Sequence, residues 1–198
     1  MPARARSFLR RETSDVNELA GFIAEICTDG LVCSTGNPFI FRAPILDLGL
    51  TIVNIHGGPL PGYRGLPVVA ATFAILRGER EYGVTLHRVD AGIDTGPVVD
   101  RRTFPLPDSV TLEELLVQVT NSCHQLFTDN LADLGCEPLA PAGADGEGEY
   151  FGKARLAELA GFRDHPAFER ATDLGVLADF HPDYAAAFEA ARSGAPVG

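Results

Sequence analysis

Leu50-Thr51-Ile52-Val53-Asn54-Ile55-His56-Gly57-Gly58-Pro59-Leu60-Pro61-Gly62-Tyr63-Arg64-Gly65 is the stretch that decides the fold. Residues 50–55 form a short apolar and β-branched run, which reads as a strand. Residues 57–65 are crowded with glycine and proline and cannot be the interior of a helix or sheet. The strand therefore stops abruptly, with Asn54 and His56 at its carboxyl end. Their i, i+2 spacing puts both side chains on one side of an extended chain. An amide donor and an imidazole could converge there on one oxygen atom. The alternative is that Asn54 caps a turn and His56 bonds the backbone, and an isolated Asn-x-His does not choose between the two.

Upstream, Ser14 or Asp15 can cap a helix reaching about Cys27, with Leu19, Phe22, Ile23 and Ile26 on one face. Leu31-Val32-Cys33 is a short strand followed by turn formers at 34–38, and 38–47 holds a short helix interrupted by Pro44. Downstream, 67–76 reads as a helix stopped by Gly78, 84–89 as an alternating strand, 90–97 as a loop and 98–104 as another strand. Thr111 and Glu114 form a capping box that opens a helix over 112–134, closed by Gly135. Residues 137–149 read as a linker, and 153–162, 166–172 and 182–193 as short helices. Strands alternating with helices indicate an α/β fold with an at least partly parallel sheet. Chemistry in such folds sits where loops leave the carboxyl ends of strands.

A second polar cluster occupies one of those loops. Asp94 lies in Gly92-Ile93-Asp94-Thr95-Gly96, where glycines permit close ligand approach. Taken alone it is a turn aspartate. His87 and Asp90 end the preceding strand, and His87 reads foremost as a hydrogen-bonded strand residue. His124, His165 and His181 read as surface residues. Tyr63 and Arg64 belong to the Gly/Pro loop, where Arg64 can bind an anion or anchor the loop.

The 198 residues are 45% apolar and 22% charged, enough for a packed core in one globular domain with a small appendage. No apolar run reaches the length of a membrane span, and no apolar segment follows the basic opening as a secretory leader requires. The expected location is the cytoplasm. The formal charge of −11 opposes binding to a phosphate backbone, so no nucleic-acid or membrane partner is expected. Cys27, Cys33, Cys123 and Cys136 form no CxxC pair and read as reduced thiols, without a zinc site.

Two blocks together carry more information than either triplet. Residues 53–65 and the run Tyr82-Gly83-Val84-Thr85-Leu86-His87-Arg88-Val89-Asp90-Ala91-Gly92-Ile93-Asp94-Thr95-Gly96-Pro97 resemble the folate-dependent formyltransferase family, in its order and separation. That family includes methionyl-tRNA, glycinamide ribonucleotide and sugar-nucleotide N-formyltransferases. The resemblance runs from about residue 30 to about 135. It implies a Rossmann-like fold with a mostly parallel sheet, and a catalytic domain over 1–136 followed by a linker and helical tail over 137–198. It implies 10-formyltetrahydrofolate as donor, an amine as acceptor and no metal. Asn54 and His56 carry over as the oxyanion-side residues and Asp94 as the acid/base partner. The donor's pterin-like head would lie against Thr35, Gly36 and Asn37 and against Asp90, Ala91, Gly92 and Ile93.

The chemistry suits these residue types. An amine attacking the formyl carbon creates a negatively charged oxygen, and each donor aimed at such an oxygen contributes roughly 3–4 kcal/mol. A nearby Asp94 carboxylate is expected to favour an imidazolium at His56 and to relay the amine proton through water. The sequence departs from the family at its start, where the usual opening βα units are expected to be absent, and at Gly57-Gly58-Pro59, where many relatives carry Pro-Ser-Leu. An open sheet edge would follow, with a homodimer covering it. With no barrel domain in view and a charge of −11, the expected acceptor is a small amine, such as a sugar-nucleotide amine or a hydroxylamine-type metabolite, rather than methionyl-tRNA. The rivals are a formyltetrahydrofolate hydrolase on the same three residues, a non-catalytic formyltransferase-like binding protein and, more remotely, a metal-dependent hydrolase using His56, His87 and Asp94.

Overall fold

The computed structural model describes residues 15–135 and 148–195. Its main sheet has four strands in the order β1-β2-β4-β5: β1 Leu31–Thr35, β2 Thr51–His56, β4 Glu81–Arg88 and β5 Val98–Pro105. A second sheet pairs β3, Tyr63–Gly65, with β6, Glu149–Phe151. The α/β class stands, but the mostly parallel sheet needs correction. β1 runs parallel to β2, whereas β2–β4 and β4–β5 are antiparallel. The reason for the last pair is loop length, because residues 89–97 are too few for the dozen or more that a parallel crossover needs.

The two faces of the sheet are covered differently. Val53 and Ile55 of β2 and Val84 and Leu86 of β4 are buried in the large core with α3, Pro67–Arg77, and α4, Leu112–Asn130. On the opposite face Ile52 packs with Leu19, Ile23 and Ile45 of the short N-terminal helices, α1 Ala20–Ile26 and α2 Ala43–Leu46, and of the 3-10 turn before them. Asn54 and His56 continue along that second face beyond the apolar cluster. α3 is buried along its whole middle, from Val68 to Leu76, as expected of a helix that is apolar all round. Gly78 ends it at φ 67°, the left-handed conformation that favours glycine.

The capping box at the start of α4 forms as read, with Thr111 Oγ1 accepting from Glu114 N at 3.2 Å and Glu114 Oε2 accepting from Thr111 N at 3.0 Å. The helix ends at Asn130 rather than 134, and residues 133–135 form a 3-10 turn. Asp15 caps the first turn, accepting from Asn17 N, while Ser14 lies outside the described residues. The expected linker over 137–149 lies almost wholly outside them too, and its last residue begins β6. The following segment is helical, with 3-10 turns at Lys153–Phe162 and Gly175–Phe180 and helices α5, Phe168–Ala171, and α6, Pro182–Ser193. Leu159, Phe168, Ala171, Phe188 and Ala191 bury themselves in the same core as β2 and β4. Among the described residues no helix is long and apolar enough to cross a membrane.

Candidate active site

β2 and β4 set the site through their register. Asn54 lies opposite His87, and His56 opposite Thr85, so four polar side chains share the face beyond Ile52. A β-bulge interrupts the β4–β5 register between Leu86 and His87, a device that re-aims a side chain at a strand end. Asn54 Nδ2 lies 3.2 Å from His87 Nε2. His87 Nδ1 lies 2.8 Å from the Arg88 carbonyl. A carbonyl only accepts, so Nδ1 carries the proton and Nε2 faces the Asn54 amide. Nδ2 has two hydrogens, and among the described residues only His87 takes one.

His56 is oriented by the loop that follows it. Its Nε2 lies 2.7 Å from the Tyr63 carbonyl and therefore donates to it. The other ring nitrogen, Nδ1, is 3.5 Å from Asp94 Oδ2. Thr85 pins the same loop, donating from Oγ1 to Gly58 O at 2.9 Å and accepting from Leu60 N at 3.0 Å. Gly58 is required by close approach, since a Cβ there would sit 2.7 Å from Tyr63 O and 2.9 Å from His56 Nε2.

Asp94 reaches this cluster from the β4–β5 loop. Its backbone takes φ 53°, the left-handed region that Asp tolerates better than most residues. The glycines beside it serve packing, because a Cβ at Gly92 would collide with Thr95 and one at Gly96 with the Arg88 carbonyl. Asp94 Oδ2 accepts from Gly65 N at 2.8 Å, and Oδ1 lies 3.6 Å from His87 Nε2. Asn54 and His56 of one strand and Asp94, some forty residues further along, are thus gathered with His87 in one cluster.

Burial dominates the electrostatics of His56, which is only 4% exposed. Desolvation holds its pKa below the ordinary 6.5, outweighing the opposing pull of Asp94 and of the Tyr63 carbonyl. The imidazolium expected from the sequence is corrected on this ground. Nor does its Nε2–H point at a free oxyanion position, since the Tyr63 carbonyl takes it. Burial raises the Asp94 pKa, but the His87 contact, the His56 ring and the Gly65 amide together overcome it, and the net shift is downward. The site at neutral pH holds a neutral imidazole against an ionised carboxylate.

The expected donor-binding residues fall on two loops. Thr35 ends β1 beside Ile55, Gly36 follows at φ 61°, and Asn37 bonds Phe39 through both its amide oxygen and its nitrogen at 3.1 Å. An open cavity of about 250 Å³ is lined by Pro38, Phe39, Ile40 and Arg42, which follow them in the chain, and by Asp15. In the second loop, Asp90 Oδ1 accepts from Gly92 N at 2.9 Å and Thr95 Oγ1 at 2.7 Å, so it builds the turn. Ala91, Gly92 and Ile93 are exposed. Sequence reasoning undervalued His87, which touches Asn54 and approaches Asp94. It missed Thr85 and the backbone of β3 altogether.

The family model described as formyl transferase matches residues 4–131. The chain belongs to the formyl transferase family. Methionyl-tRNA formyltransferase of Corynebacterium urealyticum is 40% identical over 83 residues, covering 42% of this chain and 25% of that protein. The Rickettsia bellii methionyl-tRNA formyltransferase is 30% identical over 149 residues, covering 75% of this chain and 46% of that one. The chain thus spans between a quarter and just under half of these curated relatives. Among solved structures, a sugar N-formyltransferase from Shewanella sp FDAARGOS_354 superposes with TM-score 0.63 at 25% identity, over 71% of this chain and 55% of that one. WlaRD, a sugar 3N-formyl transferase solved in the presence of dTDP and 5-N-formyl-THF, gives TM-score 0.56 at 27% identity, over 63% and 46%.

Proposed function

We propose that this chain carries the site of a folate-dependent formyltransferase that moves a formyl group from 10-formyltetrahydrofolate to a small-molecule amine. The observation that carries the reading is the convergence of Asn54, His56, His87 and Asp94 on one polar face. Membership of the formyl transferase family and the folate compound present with WlaRD support the donor. Likeness to sugar N-formyltransferases supports a sugar-nucleotide amine as acceptor, while the methionyl-tRNA formyltransferases keep the acceptor's identity an experimental question. A cytoplasmic location belongs to the same reading.

In this mechanism the acceptor amine attacks the formyl carbon, and a C–N bond forms as the carbonyl electrons move onto oxygen. The second Asn54 Nδ2 hydrogen donates to that oxyanion, a contribution of roughly 3–4 kcal/mol in comparable sites. His87 holds the amide in place through its Nε2. The amine proton leaves toward the His56 Nδ1 lone pair and the Asp94 carboxylate, which share it. Collapse of the tetrahedral centre breaks the bond to N10 of the folate, and the proton passes to that nitrogen. The loops carrying Thr35, Gly36 and Asn37 and Asp90 to Ile93 hold the pterin-like head, and no metal takes part.

The test is incubation with 10-formyltetrahydrofolate, with and without a panel of amines, following tetrahydrofolate release. Amine-dependent release is expected. Release at the same rate without amine identifies a hydrolase, and folate binding without any release identifies a binding protein; either result overturns the reading.

A further inference from the structure

The two backbone edges of β3 face different neighbours. On one edge, Glu149 N donates to Gly62 O at 3.3 Å and Leu66 N donates to Phe151 O at 2.9 Å. On the other, the Tyr63 carbonyl accepts from His56 Nε2 at 2.7 Å, and Gly65 N donates to Asp94 Oδ2 at 2.8 Å. Gly62 and Leu66 thus bond to β6, while the Tyr63 carbonyl and the Gly65 amide bond to the site. A three-residue strand has little stability of its own, so whatever holds its outer edge locates its inner one.

That outer hold is extensive. The Tyr63 ring stacks on Phe151 with centroids 5.0 Å apart. The Arg77 guanidinium lies over both rings, 5.8 Å from Tyr63 and 5.1 Å from Phe151. Glu149 pairs with Arg77 at 2.6 Å and also with Arg155. Arg64 Nη2 donates to Gly148 O at 2.8 Å. Gly65, at φ 100°, leaves room for the Phe151 carbonyl, which a Cβ would approach to 2.8 Å.

We propose that β6 is a positioning element for the site, and that the Glu149 backbone amide, acting through β3, fixes the carbonyl that assigns the His56 tautomer and the amide that orients Asp94. Glu149 touches no reacting atom and works only through Tyr63 and Gly65. The proposal rests on the functional reading only where it calls this site catalytic; the His56 tautomer is measured without substrate.

Two variants of the full chain test it. Glu149→Pro removes the N–H that Gly62 accepts, at an exposed position where no cavity results. Glu149→Gln keeps that N–H and removes the ion pairs. Ring-nitrogen NMR on chain labelled at histidine reads His56 directly, and circular dichroism checks folding. The parent and Glu149→Gln are expected to hold His56 as one Nε2–H tautomer, and Glu149→Pro to show a mixture. An unchanged tautomer in folded Glu149→Pro, or the same change in both variants, overturns the proposal. If Glu149→Pro does not fold, native-state hydrogen exchange of the parent decides. The Gly65, Leu66 and Glu149 amides should open as one unit. Slow exchange at Gly65 while the other two open freely overturns it. Absence of formyl transfer in the parent, with the tautomer responding as described, sinks the functional reading and leaves this one standing.

Discussion

At the scale of single residues, the site depends on His56 being neutral. Its folded pKa lies below 6.5 because burial outweighs the Asp94 charge. As pH falls through 6.5, the unfolded chain binds a proton that the folded chain takes up less readily, so acid favours unfolding until the folded value is also passed. Asp94 shifts in the same direction but in a lower range: its folded pKa is below 3.8, so its stabilisation is present above 3.8 and is lost as pH falls through the folded value. Between about pH 7.5 and about pH 5.5 only the His56 contribution of these two changes. The parent should therefore lose stability relative to His56→Gln over that interval, measured by urea unfolding at both ends. A difference between the two proteins that stays constant with pH would mean that His56 is not held neutral by the fold.

These residues were unevenly legible. Asn54 and His56 could be singled out because an apolar strand ends on them before a Gly/Pro loop. Asp94 stood out only through its motif, since the left-handed turn that brings it to His56 has no periodic signature. His87 was undervalued because its meaning comes from register: it lies opposite Asn54, and cross-strand partners cannot be counted along one chain. The Tyr63 carbonyl and Gly65 amide were out of reach in a different way, being backbone groups whose role does not depend on side-chain identity.

At the scale of elements, long periodic segments were read well and short long-range ones were not. β2, α3 and α4 carry their own evidence in hydrophobic pattern, in Pro67 and Gly78, and in the Thr111 capping box. β3 and β6 are three residues each and pair across a long sequence separation, so neither shows alternation worth the name. The parallel character of the sheet was overestimated because the family resemblance, rather than loop length, set the expectation. The capping box gives a direct check at this scale. Thr111→Ala should destabilise the chain by about 1 kcal/mol, seen as a lower urea midpoint with unchanged slope. No shift would mean that α4 is held by its buried stripe alone.

For the whole molecule, the helices beyond residue 152 are part of one core. Phe168 and Phe188 are each 1% exposed and share a cluster with Val53, Leu86 and Leu115. Unfolding should consequently be a single transition in which these helices and the sheet go together. Phe188→Ala removes a buried ring and should cost about 3–5 kcal/mol, lowering the melting temperature seen by circular dichroism and by the ring signals of His56 and His87 alike. A variant whose helices melt first while those histidine signals persist would separate the two regions. The sequence showed these helices but not their attachment, because small apolar residues such as Ala171 and Ala191 do not announce which surface they meet.

The most direct test of the proposed formyl-transfer site is the turnover of Asp94→Asn beside the parent, with folate binding measured on both by calorimetry. The substitution keeps size and shape but removes the carboxylate proposed to share the amine proton with His56. Tetrahydrofolate release in the presence of a competent amine should fall by roughly 10²–10⁴-fold while the folate affinity changes little. Equal release from the two proteins, at equal folate occupancy, would contradict the assignment of Asp94 and the site built around it.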